Sequence, residues 1–139
     1  ELPAGAYAFH AGDTGASMFI IERGEVLLCR RGSSGMQVRL RRLGTGDFFG
    51  ETTLIEMQPR PYDALVDPSA TGETTLLFEL DNRAFYQLYQ TDVQAYVMAL
   101  QNVNRELCRR LRKSDLRLTE FADEAQDDAT QIGMHPVGR

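Results

Sequence analysis

Several scarcities bound what this chain can do. It has two histidines, His10 and His135, too few for a metal site built from several imidazoles and a carboxylate. Its two cysteines, Cys29 and Cys108, lie far apart without paired spacing, which excludes a cluster held by four thiolates and predicts two reduced, buried thiols. Free thiols fit a reducing compartment, so the expected location is the cytoplasm. No stretch approaches the ~18 consecutive apolar residues of a membrane-spanning helix, and no membrane partner is expected. Positive charge is also short. The formal net charge of −5 leaves no electrostatic footprint for nucleic acid, and Arg39, Arg41 and Arg42 read as a solvated strand face. No Ser/His/Asp or Cys/His arrangement comes with a supporting motif, and Gly44-Thr45-Gly46 lacks the lysine of a nucleotide-hydrolysing loop. An enzyme is therefore not expected, and no cofactor is implied.

What is present divides into two textures. The 139 residues suffice for one domain with its own core. The chain starts at Glu1 without a methionine or an apolar leader, and we read it as a trimmed piece of a longer protein. From Leu2 to Leu80, short β-type runs alternate with glycine turns: Met18–Ile21, Val26–Cys29, Val38–Leu43, Ala64–Val66 and Thr74–Leu80. That pattern predicts a sandwich or jelly-roll-like barrel. From Asp81 to Ile132 there is neither glycine nor proline, and the apolar period becomes helical. Asp81 or Asn82 caps a short helix through Tyr89, and Thr91 or Asp92 caps a much longer one. On the long helix Val93, Val97, Leu100, Asn104, Leu107, Leu111, Ser114, Leu118 and Phe121 alternate steps of four and three, a heptad seam. It predicts a helix packed first on the β domain and then on a partner helix in a parallel homodimer. A helix folded back on its own domain is the alternative. Residues 1–122 are expected to form the domain, and the acidic residues 123–139 a frayed helix end and mobile tail.

Within the first texture lies Gly46-Asp47-Phe48-Phe49-Gly50-Glu51-Thr52-Thr53-Leu54-Ile55, then Pro59-Arg60. A glycine turn, a carboxylate, a short apolar helix-like segment and a cation suit a ligand with a phosphate at one end and a sugar hydroxyl at the other. The stretch resembles the phosphate-binding cassette of the cyclic-nucleotide-binding domain family, which includes the bacterial catabolite activator and the protein kinase A regulatory subunit. The likeness extends over Leu2-Pro3-Ala4-Gly5, Ala11-Gly12-Asp13, Met18 to Val26, Leu43 to Glu51 and the helices around Phe85, Leu88 and Arg109-Arg110-Leu111. It implies an eight-stranded β-roll capped by a short and a long helix, with cyclic AMP or cyclic GMP as ligand.

By the same resemblance, Glu51 accepts the ribose 2′-hydroxyl, and Gly50 and neighbouring Phe49 bring the backbone close. Backbone N–H groups around Thr52 and Thr53 meet the phosphate at the start of a short helix. The bland reading of Phe48 and Phe49 is two core aromatics beside a turn. For the cation two registrations stand open. Counting forward from Glu51 gives Arg60, nine residues on, followed by Pro61, which has no N–H to donate. Counting backward from the strand at Ala64 puts Tyr62 in the cation's slot and Asp63, an acid, in the next. On the long helix Ser114 falls where the family places a base-contacting hydroxyl, and it equally suits a polar position in a helix seam. Arg110 has the weaker claim.

Many bacterial relatives carry a helix-turn-helix domain after the long helix. The residues beyond Phe121 are too few and too polar for one, so operator binding by this chain is not expected. The expectation is a regulatory cyclic-nucleotide-binding module that signals through a long dimeric helix. The alternative is a dimeric scaffold that kept the roll and lost phosphate capture.

Overall fold

Alternation of inward apolar and outward polar side chains sets the architecture of the first part of the molecule. The computed structural model describes residues 1–69 and 74–132, with side chains through residue 125, and falls into two units, Glu1–Gln90 and Thr91–Arg139. The first unit runs β1 (Tyr7–Phe9), β2 (Ser17–Arg23), β3 (Val26–Arg31), β4 (Gln37–Leu43), β5 (Phe48–Phe49), α1 (Glu51–Glu56), β6 (Asp63–Val66), β7 (Leu76–Asp81) and α2 (Asn82–Thr91). One antiparallel sheet has the order β1-β6-β3-β4 and the other β5-β2-β7. The sheets do not close into a barrel, and the arrangement is a β-roll. It shows seven strands among the described residues where eight were expected, with an isolated bridge between Leu2 and Thr75.

Registers pair inward residues with inward residues: Val26 faces Val66 and Leu28 faces Ala64. Along β6, Ala64 and Val66 are buried while Asp63 and Leu65 sit half-buried on the other face. Phe9, Ile21, Val26, Leu28, Leu43, Phe49 and Ala64 form the core, with Phe19 and Tyr62 packed against it. Its aromatic side is continuous, with ring centroids 5.8 Å apart for Phe9–Phe49, 5.3 Å for Phe19–Phe49 and 5.9 Å for Phe9–Tyr62.

Turn chemistry fixes the strand ends. Asp47 Oδ2 accepts the Gly44 N–H at 2.9 Å, and Gly46 and Asp47 pair with both backbone groups of Ile21. Gly24 joins β2 to β3 at φ +100°, and a Cβ there would lie 2.2 Å from Thr75 Oγ1, inside a fully buried contact. A Gly24→Ala variant therefore combines a left-handed alanine with overpacking. It is expected to lose about 2–4 kcal/mol in urea denaturation; a loss under about 0.5 kcal/mol, the range of a neutral surface change, would contradict this packing.

Both helix starts are capped as the sequence predicts. Asp81 Oδ1 accepts the Ala84 N–H at 2.7 Å, and Asp92 Oδ1 accepts that of Ala95 at 2.9 Å. The second unit is α3, Val93–Ile132, 40 residues long and thus about 60 Å at 1.5 Å per residue. It continues past Phe121, where the expected seam ends, because Ala122–Ile132 holds good helix formers and no breaker. Of the frayed end and tail expected at 123–139, residues 133–139 lie outside the described residues. On α3 the seam residues Leu111, Leu118 and Phe121 are 63%, 67% and 67% exposed, with Val93 and Val97 also open. Among the described residues no helix is long and apolar enough to cross a membrane.

Candidate functional site

Gly50 is the corner on which the site turns. β5 ends at the fully buried Phe49, and the chain enters α1 through Gly50 at φ +80°. A Cβ there would come within 2.6 Å of Arg60 Nη1, so both the backbone angle and the close approach require glycine. Glu51 opens α1 and is buried, as is Thr53. The six-residue helix ends at Met57, itself left-handed at φ 54°, whose N–H donates to Thr53 O at 3.0 Å. Thr52 Oγ1 and Thr53 Oγ1 are buried hydroxyls with no hydrogen-bond partner among the described residues. Each such group costs about 1–3 kcal/mol until something pairs with it.

Arg60 points inward and is 5% exposed. Its Nη1 donates to Ser17 O at 2.7 Å and Gly50 O at 3.0 Å, and its Nη2 to Ser17 Oγ at 3.2 Å. The guanidinium carbon lies 4.2 Å from the Phe9 ring centroid and 5.7 Å from that of Phe19. Backbone bonds bracket the residue: its N–H donates to Asp13 O and its carbonyl accepts the Gly12 N–H, both at 2.8 Å. Burial pulls the Arg60 pKa below its ordinary value, opposed by Tyr62, Glu79, Asp13 and Glu51. The group remains a cation. Of its five N–H donors, those on Nε and one on Nη2 are left for another acceptor. A cavity of about 390 Å³ beside it is lined by Phe9, Phe19 and Arg60 and also by Asp13, Glu79 and Asp81.

The two registrations left open by the sequence both reach Gly50. Arg60 takes its carbonyl, and the Tyr62 hydroxyl accepts its N–H at 3.2 Å. Asp63 stays out of this hollow. Its Oδ1 accepts the Ala11 N–H at 2.8 Å and lies 3.6 Å from His10 Nδ1. The physical reason is the period of two: Ala64 and Val66 face in, so Tyr62 faces in and Asp63 out. Phe49, Gly50, Glu51, Thr52, Thr53, Arg60 and Tyr62 thus form one constellation in the first unit. Ser114 lies on α3 in the second unit, where its hydroxyl donates to Arg110 O at 3.1 Å. Arg110 Nε donates to Glu106 Oε1 at 2.8 Å on the same helix.

Sequence reasoning missed Ser17, Phe9 and Phe19 as the seat of the Arg60 guanidinium. Ser17 is 43 residues from Arg60, and no spacing signals that pairing. Among the described residues no group of three or more His, Cys, Asp or Glu could hold a metal ion.

Comparison with known proteins shows the family. The chain is 31% identical over 116 residues to the cyclic AMP receptor protein of Thermus thermophilus, covering 84% of this chain and 50% of that one. It is 29% identical over 93 residues to the cGMP-dependent protein kinase of Plasmodium berghei, 67% of this chain and 10% of that one. The crystal structure of the Thermus thermophilus catabolite activator protein superposes with a TM-score of 0.71 at 30% identity, over 86% of this chain and 52% of that one. The chain thus spans about half the length of the bacterial regulators it matches. The family profile described as cyclic nucleotide-binding domain matches residues 1–92, and the chain belongs to that family.

Proposed function

We propose that this chain is a regulatory module that binds cyclic AMP or cyclic GMP in the first unit and forms a homodimer along α3. The observation that carries the binding reading is the convergence on Gly50. A buried carboxylate, Glu51, adjoins it, a buried cation, Arg60, bonds it, and two buried hydroxyls on Thr52 and Thr53 lack partners among the described residues. In this reading Glu51 accepts the ribose 2′-hydroxyl. The remaining Arg60 donors and the Thr52 and Thr53 hydroxyls meet phosphate oxygens, where charge-assisted bonds are strong. With six residues, α1 contributes individual N–H groups and not a helix dipole. Tyr62 holds the Gly50 N–H and so positions the corner. The dimer reading rests on the exposed seam of α3, which has the spacing that pairs helices. Regulators among the relatives motivate an output carried through that helix.

The test is calorimetric titration of the parent and Glu51→Ala with cyclic AMP, cyclic GMP and their 2′-deoxy analogues. Loss of a hydrogen bond to a charged group costs about 1.5–3 kcal/mol, or roughly 10- to 150-fold in Kd. The parent should lose that factor on the deoxy analogue, and Glu51→Ala should bind both ligands alike. Equal discrimination by the two proteins would remove Glu51 from the site.

A second reading, a dimeric scaffold without cyclic-nucleotide binding, has its own observation. Arg60 spends three donors on Ser17 and Gly50, and Asp13, Glu79 and Asp81 line the cavity beside it. An anion entering there meets like charges. Absence of ligand heat in the same titration would favour this reading.

A further inference from the structure

Asp63, which the cyclic-nucleotide site leaves aside, belongs to a different hollow. At one end of the β1-β6-β3-β4 sheet, where Arg31 pairs with Gln37 and Cys29 with Asp63, lies a cavity of about 610 Å³ whose walls include Tyr7, His10, Arg30, Arg31, Gln37 and Asp63. Its lining shares no residue with the Gly50 constellation. The volume suits a small organic ligand.

Three features define its chemistry. The first is charge. Arg30 and Arg31 are exposed at the end of β3, and their side chains make no ion pair among the described residues, although the protein as a whole is acidic at −5. The second is the single acid in the lining, Asp63. Its Oδ1 accepts the Ala11 N–H at 2.8 Å and lies 3.6 Å from His10 Nδ1, and the two arginines outnumber this one carboxylate in the lining. The third is a ring platform. Tyr7 and His10 pack with centroids 4.2 Å apart, and the Asp63 carboxylate lies on the Nδ1 side of His10 at 3.6 Å. Planar guanidinium groups pair with phosphate oxygens, and an aromatic face accepts a planar ring.

We infer that this pocket is a second binding site, for a small anion that joins a phosphate to a planar ring, such as a non-cyclic nucleotide. Arg30 and Arg31 take the phosphate, Tyr7 and His10 stack the ring, and Asp63 positions His10. The inference stands apart from the cyclic-nucleotide reading and survives its failure.

The test is titration of the full chain with 5′-AMP and with pyrophosphate, followed by amide chemical shifts. Saturable binding of 5′-AMP below about 1 mM is expected, with shifts at Tyr7, His10 and residues 30–37. Arg30→Gln combined with Arg31→Gln should weaken both probes at least tenfold while the melting temperature holds. Tyr7→Ser should weaken 5′-AMP and spare pyrophosphate. Glu51→Ala should bind both probes as the parent does. If neither probe saturates, or the arginine variant binds unchanged, the site does not exist. If Glu51→Ala abolishes 5′-AMP binding, the probe is using the residues around Gly50 and the inference is overturned. Pyrophosphate binding that ignores the arginines means an adventitious ion only, which also overturns it.

Discussion

Replacing Arg60 with methionine is expected to cost about 3–5 kcal/mol of folding stability, because removing one partner of a buried polar set leaves the others stranded. Ser17 O, Ser17 Oγ and Gly50 O would each lose a donor in a place water does not reach freely. The side chain also supplies the cation over Phe9. Against a total of about 5–15 kcal/mol for a domain, that loss is a large fraction. Arg60→Lys keeps the charge but cannot span two carbonyls with a rigid fork, and it should recover less than half of the loss. Urea denaturation of the three proteins measures this. A methionine variant as stable as the parent would mean the guanidinium is a surface group, contrary to its burial and its bonds.

Charging the α3 seam should have a comparable effect on assembly. Leu111 and Leu118 are exposed in the single chain and are spaced one heptad apart. Burying a leucine contributes about 1.5–3 kcal/mol, and a two-fold dimer buries each residue twice. A Leu111→Asp, Leu118→Asp variant is therefore expected to raise the dimer dissociation constant roughly 1,000-fold or more, since every 1.4 kcal/mol is tenfold. Sedimentation velocity should show the parent as a dimer and the variant as a monomer whose first unit remains folded. A parent that sediments as a monomer at about 0.1 mM, far above the dissociation constants of specific complexes, would remove the homodimer.

Much of the fold was legible because its signals are local. The runs at Met18–Ile21, Val26–Cys29, Val38–Leu43 and Ala64–Val66 fall inside β2, β3, β4 and β6, and Asp81 and Asp92 cap the two helices. Two-residue β5 is too short to carry a period, and three-residue β1 shifts register between Tyr7 and Phe9. The end of α3 was hidden because acidity and few large apolar residues resemble a tail, while helix propensity rewards its alanines and glutamines and Glu124.

The candidate site was legible as a cassette and illegible as a set of contacts. Gly50 and Glu51 sit on the turn their neighbours announce. The path of Arg60 to Ser17, in a strand 43 residues earlier, exists only in three dimensions. The outward turn of Asp63 was within reach. Continuing the inward phase of Val66 and Ala64 back to Tyr62 turns Asp63 outward, toward Ala11 and His10. What that phase could not reveal is that Tyr62 and Arg60 take the two backbone groups of one glycine.

The central claim is that the residues gathered around Gly50 and Arg60 bind a cyclic nucleotide. Isothermal titration of the parent chain with cyclic AMP and cyclic GMP asks it directly. The account predicts saturable heat for at least one of them, with a dissociation constant below about 1 mM, and loss of that heat in Arg60→Lys, whose fold is checked separately. No saturation by either ligand, from a chain that melts cooperatively, would contradict it.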